Sequence, residues 1–242
     1  ALARMGGNVY MMDATRSLTA RAVDLGEKPA VLSGIAKLHI TERNREVIND
    51  AMDVVGGKGI CMGPSNVLGA AYMQMPVSIT VEGANILTRS LIVYGQGAIR
   101  CHPFVLKEME ATRRADHAQA LAEFDAAFAG HVRFTLSNMA RALVMGLTGS
   151  HFVGVPADVA PEMRRHYQKL TRFSAALAFV SDVSMGVLGG ALKRKEKLSA
   201  RLGDVLSALY LCSATLKRYE DEGRHKADAP LAHWAVWDAM FK

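Results

Sequence analysis

Ser78–Ile92 reads SITVEGANILTRSLI, and Glu82 is its only carboxylate. The acid follows a run of β-branched residues, is followed at once by Gly83, and precedes an apolar helix-like pattern that begins near Ala84. An acid just before a helix can simply complement the helix dipole and its free N–H groups. It can also act as a general base on a short extended segment, with Gly83 leaving room for a ligand whose carbon must lose a proton. A surface glutamate needs no such setting, so Glu82 is the leading candidate for chemistry.

A second stretch, GGKGICMGPSN (Gly56–Asn66), is rich in glycine. Glycine visits positive φ without cost, so the loop can be a helix C-cap with turns; the chemical alternative is close backbone approach to a phosphate. The glycines follow a helix instead of opening one, which is not a dinucleotide fingerprint. No metal site is expected. Cys101 and His102 are adjacent, Cys61 is isolated, and C-x-x-C and H-E-x-x-H are absent. The nearest approach to a di-iron spacing, Glu162 with His166, is one residue too long and unpaired. The run LKRKEKLSAR (Leu192–Arg201) holds five Lys/Arg and one Glu. It reads as a solvated helix face or as a contact for anionic lipid headgroups or another segment of the same protein. Nucleic acid is not expected, because no aromatic residues interleave with the charges.

The elements that must position these residues are helices. Residues 2–25 and 31–55 carry apolar positions at helical spacing and are joined by GEKPA, where Gly26 stops one helix and Pro29 starts the next, so the two should pack antiparallel. Gly56–Val81 reads as an extended connection and residues 84–100 as a third long helix, closed where His102 precedes Pro103. Beyond a soft boundary near residue 103, helical stretches are expected over Phe104–Ala129, Val132–Leu147, Pro161–Leu188 and Ala191–Tyr219. A Gly/Pro-punctuated linker spans Gly146–Pro161, and a short final helix follows the polar Glu220–Pro230. The fold class is all-α.

Half of the 242 residues are hydrophobic, enough to bury one large core or two smaller ones. Net charge is +6, and the excess is slight in both parts, with 10 Lys/Arg against 8 Asp/Glu over residues 1–102 and 19 against 15 over residues 103–242. Three cysteines without paired spacing point to a reducing, cytoplasmic setting. No run of apolar residues is expected to reach the roughly 18 residues of a membrane span. A chain that opens at Ala1 in a pattern already helical reads as a piece of a longer protein.

Together, DVVGGKGI and TVEGANILTRSL, within Asp53–Leu91, resemble the C-terminal helical domain of flavin-dependent acyl-CoA dehydrogenases. That family carries a G-G-x-G loop, then an E-G some twenty to twenty-five residues on, and an Arg seven residues after the acid; here these are Gly56-Gly57-Lys58-Gly59, Glu82-Gly83 and Arg89. VEGANILTRSLIVYGQGAIRCHPF and LKRKEKLSARLGDVLSALYL are closer still to the large bacterial FadE-type enzymes, which carry an extra helical region. The resemblance implies residues 1–102 as the shared C-terminal domain and residues 103–242 as the added one. It implies Glu82 as the base that takes the α-proton of a fatty acyl-CoA while the β-hydrogen leaves as hydride to FAD, giving a trans-2-enoyl-CoA in the first step of fatty acid β-oxidation. Gly83 would lie against substrate, Asp53, Gly56 and Gly57 against the adenine–pyrophosphate end of FAD, and Ala84 and Ile86 near the flavin. Smaller relatives have Thr-Ser-Gln where this chain has Ala84-Asn85-Ile86, and a Gln where Asp53 stands, so the backbone share of those contacts carries over. It further implies a homo-oligomer, an electron-transfer acceptor, and a cytoplasmic protein with peripheral contact at the inner face of the cell membrane. This chain alone is expected to hold neither FAD nor acyl-CoA tightly.

Overall fold

The structure, a computed structural model, describes residues 1–242 and is built of helices with no strand. Its helices are α1 (Leu2–Asp24), α2 (Ala30–Val55), α3 (Leu68–Thr80), α4 (Asn85–Leu87), α5 (Gly97–Arg100), α6 (Val105–Ala111), α7 (His117–Leu147), α8 (Arg164–Leu188), α9 (Glu196–Asp221) and α10 (Ala229–Phe241). Three short 3₁₀ segments intervene, Gly56–Gly59, Pro161–Met163 and Gly189–Arg194, and a π-helix, Thr88–Gln96, joins α4 to α5.

The chain forms two compact units. The first comprises Ala1–Arg89, Asp158–Met163 and Ser207–Lys242. In it α1 and α2 pack together, with α3 on α2 and α10 on α1. Met11, Ile35, Leu211, Leu216 and Val236 are buried there. Gly7 admits α10: a Cβ at that position would fall 1.9 Å from the Trp234 ring. Arg43 of α2, itself buried, reaches Asn8 of α1 and the Asp238 carboxylate of α10 at 2.7 Å, so one guanidinium ties three helices.

The second unit comprises Ser90–Ala157 and Arg164–Leu206. Its α6 and α8 both pack on α7, and Tyr94, Leu192 and Leu202 form a buried cluster with Leu177, Met185 and Leu198 around it. The chain crosses between the units four times, after Arg89 in the π-helix, on either side of Asp158–Met163, and after Leu206 in α9.

Three expectations need correction. Gly56–Val81 is not one extended connection, because α3 fills Leu68–Thr80. Asn66 starts that helix by accepting hydrogen bonds from the amides of Leu68 (3.0 Å) and Gly69 (2.9 Å), and Pro76 sits within it. The charged stretch after Pro103 breaks at Thr112–Asp116 and not near Gly130. Asp116 caps α7 by accepting from Ala118 and Gln119, while Gly130 lies mid-helix because a Cβ there would come within 2.5 Å of the Phe104 ring. Finally, Pro161–Arg194 forms a continuous helical stretch that is, by length and composition, apolar enough to cross a membrane, with 28% of its most apolar window buried. A core helix passes the same test, and α8 carries Asp182, which is buried and engaged within the second unit.

Candidate active site

Glu82 sits just past the C-terminal end of α3. Val81 is extended, and Glu82 (φ 54°) and Gly83 (φ 103°) both take left-handed backbone conformations before Ala84 leads into α4. A residue bearing Cβ enters that region only at some energetic cost, so Glu82, unlike Gly83, requires outside support there. Helix α2 supplies it. The Lys37 ammonium donates to the carbonyls of Ile79 (3.2 Å) and Gly83 (2.8 Å) and to Asn85 Oδ1 (2.6 Å). Buried Asn85 in turn donates to Thr41 Oγ1 and Glu42 Oε1, each at 2.9 Å.

The Ile79 and Gly83 carbonyls and the Asn85 side chain beside Glu82 are therefore engaged, while its own side chain is exposed. The rim around it is apolar and open: Val77, Val81 and Leu87 are exposed, and Ile86 is 81% so. Gly83 is half-buried, and Ala84 begins the following helix, so both expected neighbours of Glu82 lie in the same turn.

The glycine loop lies at the other end of α3, about 20 Å away by the rise of thirteen helical residues. Asp53, Gly56 and Gly57 are exposed there. Gly56 has φ 63°, and a Cβ added to Gly56 or Gly57 would meet no atom within 4 Å. That leaves bare backbone facing open space. The loop is fastened from beneath by Asn66, whose Nδ2 donates to Gly59 O at 2.7 Å, with Lys58 O and Cys61 O each 3.2 Å away. Gly59 and Gly69 are small for packing reasons: Cβ atoms there would strike Met52 and Met62 respectively. Sequence reading missed Lys37, Thr41 and Asn66. An Asn two residues ahead of an apolar helix was a visible cap signal, whereas nothing local to Lys37 marks it.

A second polar cluster lies in the second unit, where His102, His131 and Asp182 place ligand-capable atoms within 4.8 Å of one another. His102 Nδ1 accepts from the amides of Phe104 (3.2 Å) and Val105 (3.1 Å), which puts its proton on Nε2, 2.9 Å from Asp182 Oδ1. Nε2 therefore turns its proton towards the carboxylate side of the cluster, close to Asp182 but not aligned on it as a hydrogen bond. A metal-ligating histidine does the reverse, offering one bare nitrogen and donating from the other. His131 lies between two acids, with Nδ1 2.8 Å from Glu108 Oε1 and Nε2 3.4 Å from Asp182 Oδ1, and Thr135 donates to Asp182 Oδ2 at 2.7 Å. Burial pushes the Asp182 pKa up, but the close approach of His102, the bond from Thr135 and the nearby His131 imidazole leave it below the ordinary carboxylate value. This network fastens helices α6, α7 and α8. A cavity of about 410 Å³ in the same unit, lined by Leu91, Tyr94, Ile99, Met185 and Leu192 among others, includes none of the expected site residues.

Two family models match the chain. Residues 1–95 match the acyl-CoA dehydrogenase C-terminal domain, and residues 99–242 match the acyl-CoA dehydrogenase C-terminal domain of bacterial type. Since the bacterial-type model alone covers more than half of its length, the chain belongs to the acyl-CoA dehydrogenase family, as a C-terminal portion.

Proposed function

We propose that this chain carries the proton acceptor of a flavin-dependent acyl-CoA dehydrogenase that oxidises fatty acyl-CoA to trans-2-enoyl-CoA, the first step of fatty acid β-oxidation. The observation that supports it most is the Glu82 turn: one exposed carboxylate in an apolar rim, with the carbonyls of Ile79 and Gly83 on either side of it tied to α2. Glu82 takes the α-proton of the thioester, and its backbone N–H helps hold the thioester oxygen as charge develops there. Gly83 keeps that approach free of a side chain. FAD, when bound, supplies the acceptor for the β-hydrogen and its electron pair, so the substrate loses a proton and a hydride as the Cα–Cβ double bond forms. The bare backbone of Gly56 and Gly57 fits one flat end of such a dinucleotide, and the Asp53 carboxylate can accept from a ribose hydroxyl or adenine amine there. Ala84 and Ile86 would contribute backbone and apolar surface near the flavin.

Glu82→Gln keeps the shape and removes the proton acceptor. Anaerobic reduction of bound flavin by acyl-CoA should slow by roughly 10²–10⁴-fold or more, and a rate near that of the parent would end the assignment. A homo-oligomer and an electron-transfer acceptor belong to the same reading.

The alternative is a non-catalytic helical interaction module that retains the fold, or, for residues 103–242, a membrane-surface module of a cytoplasmic protein held at the inner face of the cell membrane. Exposed Val180, Val183 and Val187 lead along α8 into exposed Lys193, Arg194, Lys195 and Lys197. Apolar side chains beside cations suit an anionic bilayer surface. Sedimentation with phosphatidylglycerol vesicles should fall when the four cations are replaced by Gln, and unchanged binding would remove this reading.

A further inference from the structure

Glu82 is held in a conformation that a glutamate in a free chain seldom visits. If α3 continued, the Ile79 carbonyl would accept from the amide of Gly83. The chain turns left instead, and the Lys37 ammonium takes the place of that amide. The same ammonium holds the Gly83 carbonyl, so only Thr80, Val81 and Glu82 lie between two fixed oxygens. Its third contact is Asn85, which is buried and fixed to Thr41 and Glu42 one turn further along α2. An ammonium has three protons to donate, and three oxygens take them.

We propose that Lys37, acting with Asn85, is a positioning residue that sets the backbone of Glu82 and thereby the direction of its carboxylate. This rests on the reading of Glu82 as proton acceptor. Lys37 touches backbone on both sides of the acid and contributes no atom to the reaction. Its removal should loosen the turn while leaving the helices that bury the core in place. Displacement of a reacting group by about 1 Å can cost on the order of 10²-fold in rate.

The test uses the intact flavoprotein with Lys37→Met, Lys37→Arg, Asn85→Ala and Glu82→Gln, read in two ways. Anaerobic flavin reduction by palmitoyl-CoA gives the limiting rate and the substrate dissociation constant separately. Amide hydrogen exchange of residues 79–87, measured on the flavin-free protein, reports the turn without any chemistry. Lys37→Met should lower the limiting rate by roughly 10–100-fold, leave the dissociation constant within about threefold, and lose protection over residues 79–87 but not in α1. Lys37→Arg, which keeps a charged donor, should recover most of the rate.

A Lys37→Met protein with an unchanged limiting rate, or one that slows while residues 79–87 keep their protection, overturns the proposal. If Lys37→Met does not fold or does not hold flavin, Asn85→Ala decides. It should slow reduction in the same sense by a smaller factor and deprotect the same residues, and an unchanged rate overturns the proposal. Glu82→Gln separates the two ideas, because a parent-like rate there overturns the base assignment itself.

Discussion

Two regions of this chain are dense in groups that could do chemistry, and they are wired in opposite ways. In the second unit, His102, His131, Glu108 and Asp182 offer four titratable side chains, and each meets a partner. At the Glu82 turn the flanking carbonyls and Asn85 are engaged by α2, and the one acid on the turn itself is exposed. Buried polar groups that face one another across three helices offer little to a substrate, so their product is mechanical stability. A lone group on a backbone fixed by others is free to react. The count of catalytic residue types is thus a poor guide, and the state of their hydrogen bonds a better one.

That contrast can be broken by experiment. The largest effect should come from Glu82→Gln, with a rate loss of roughly 10²–10⁴-fold and almost no change in melting temperature, because no contact is lost. Asp182→Ala should do the opposite. Removing one member of a buried pair typically costs about 3 kcal/mol, so chemical denaturation should show a clearly weakened second unit, while flavin reduction by the folded enzyme keeps its rate. If Asp182→Ala instead stopped turnover with stability intact, the division between the two regions would fail.

A smaller effect is expected at the glycine loop. Gly57→Ala has open space for its methyl group, so stability should stay within about 0.5 kcal/mol. Its flavin affinity should drop on the order of tenfold, about 1.4 kcal/mol, measurable by flavin release. The smallest effect is acid sensitivity of the second unit. The folded pKa of Asp182 is depressed, so its contribution is present above the unfolded carboxylate value of about 3.9 and is lost as pH falls through the folded value. Thermal melts taken below about pH 4 should show a steeper decline for the parent than for Asp182→Asn.

Much of this arrangement was legible in the sequence. Gly26 with Pro29 marked the turn between α1 and α2, and the acid followed at once by Gly83 marked the candidate site, although the sequence there reads as extended and both residues are left-handed. What was hidden depended on contacts between distant segments. Gly130 looks like a helix breaker and is instead a gap for Phe104. Pro76 and the β-branched residues near it suggested an extended run, yet the capping side chain of Asn66 and packing on α2 make it a helix. Lys37 lies more than forty residues from the turn it holds, and no spacing rule links the two.

The left-handed backbone at position 82 has a consequence for how the protein would drift in the laboratory. Left-handed conformations cost a residue with a Cβ about 1–2 kcal/mol, while glycine occupies them freely and asparagine is better suited than most. The turn would therefore be more comfortable with Gly or Asn in place of the acid. A library sorted for heat resistance alone should lose the carboxylate at this position, whereas one sorted for turnover should keep it and accept the lower melting point. Thermal hardening and activity pull on this residue in opposite directions.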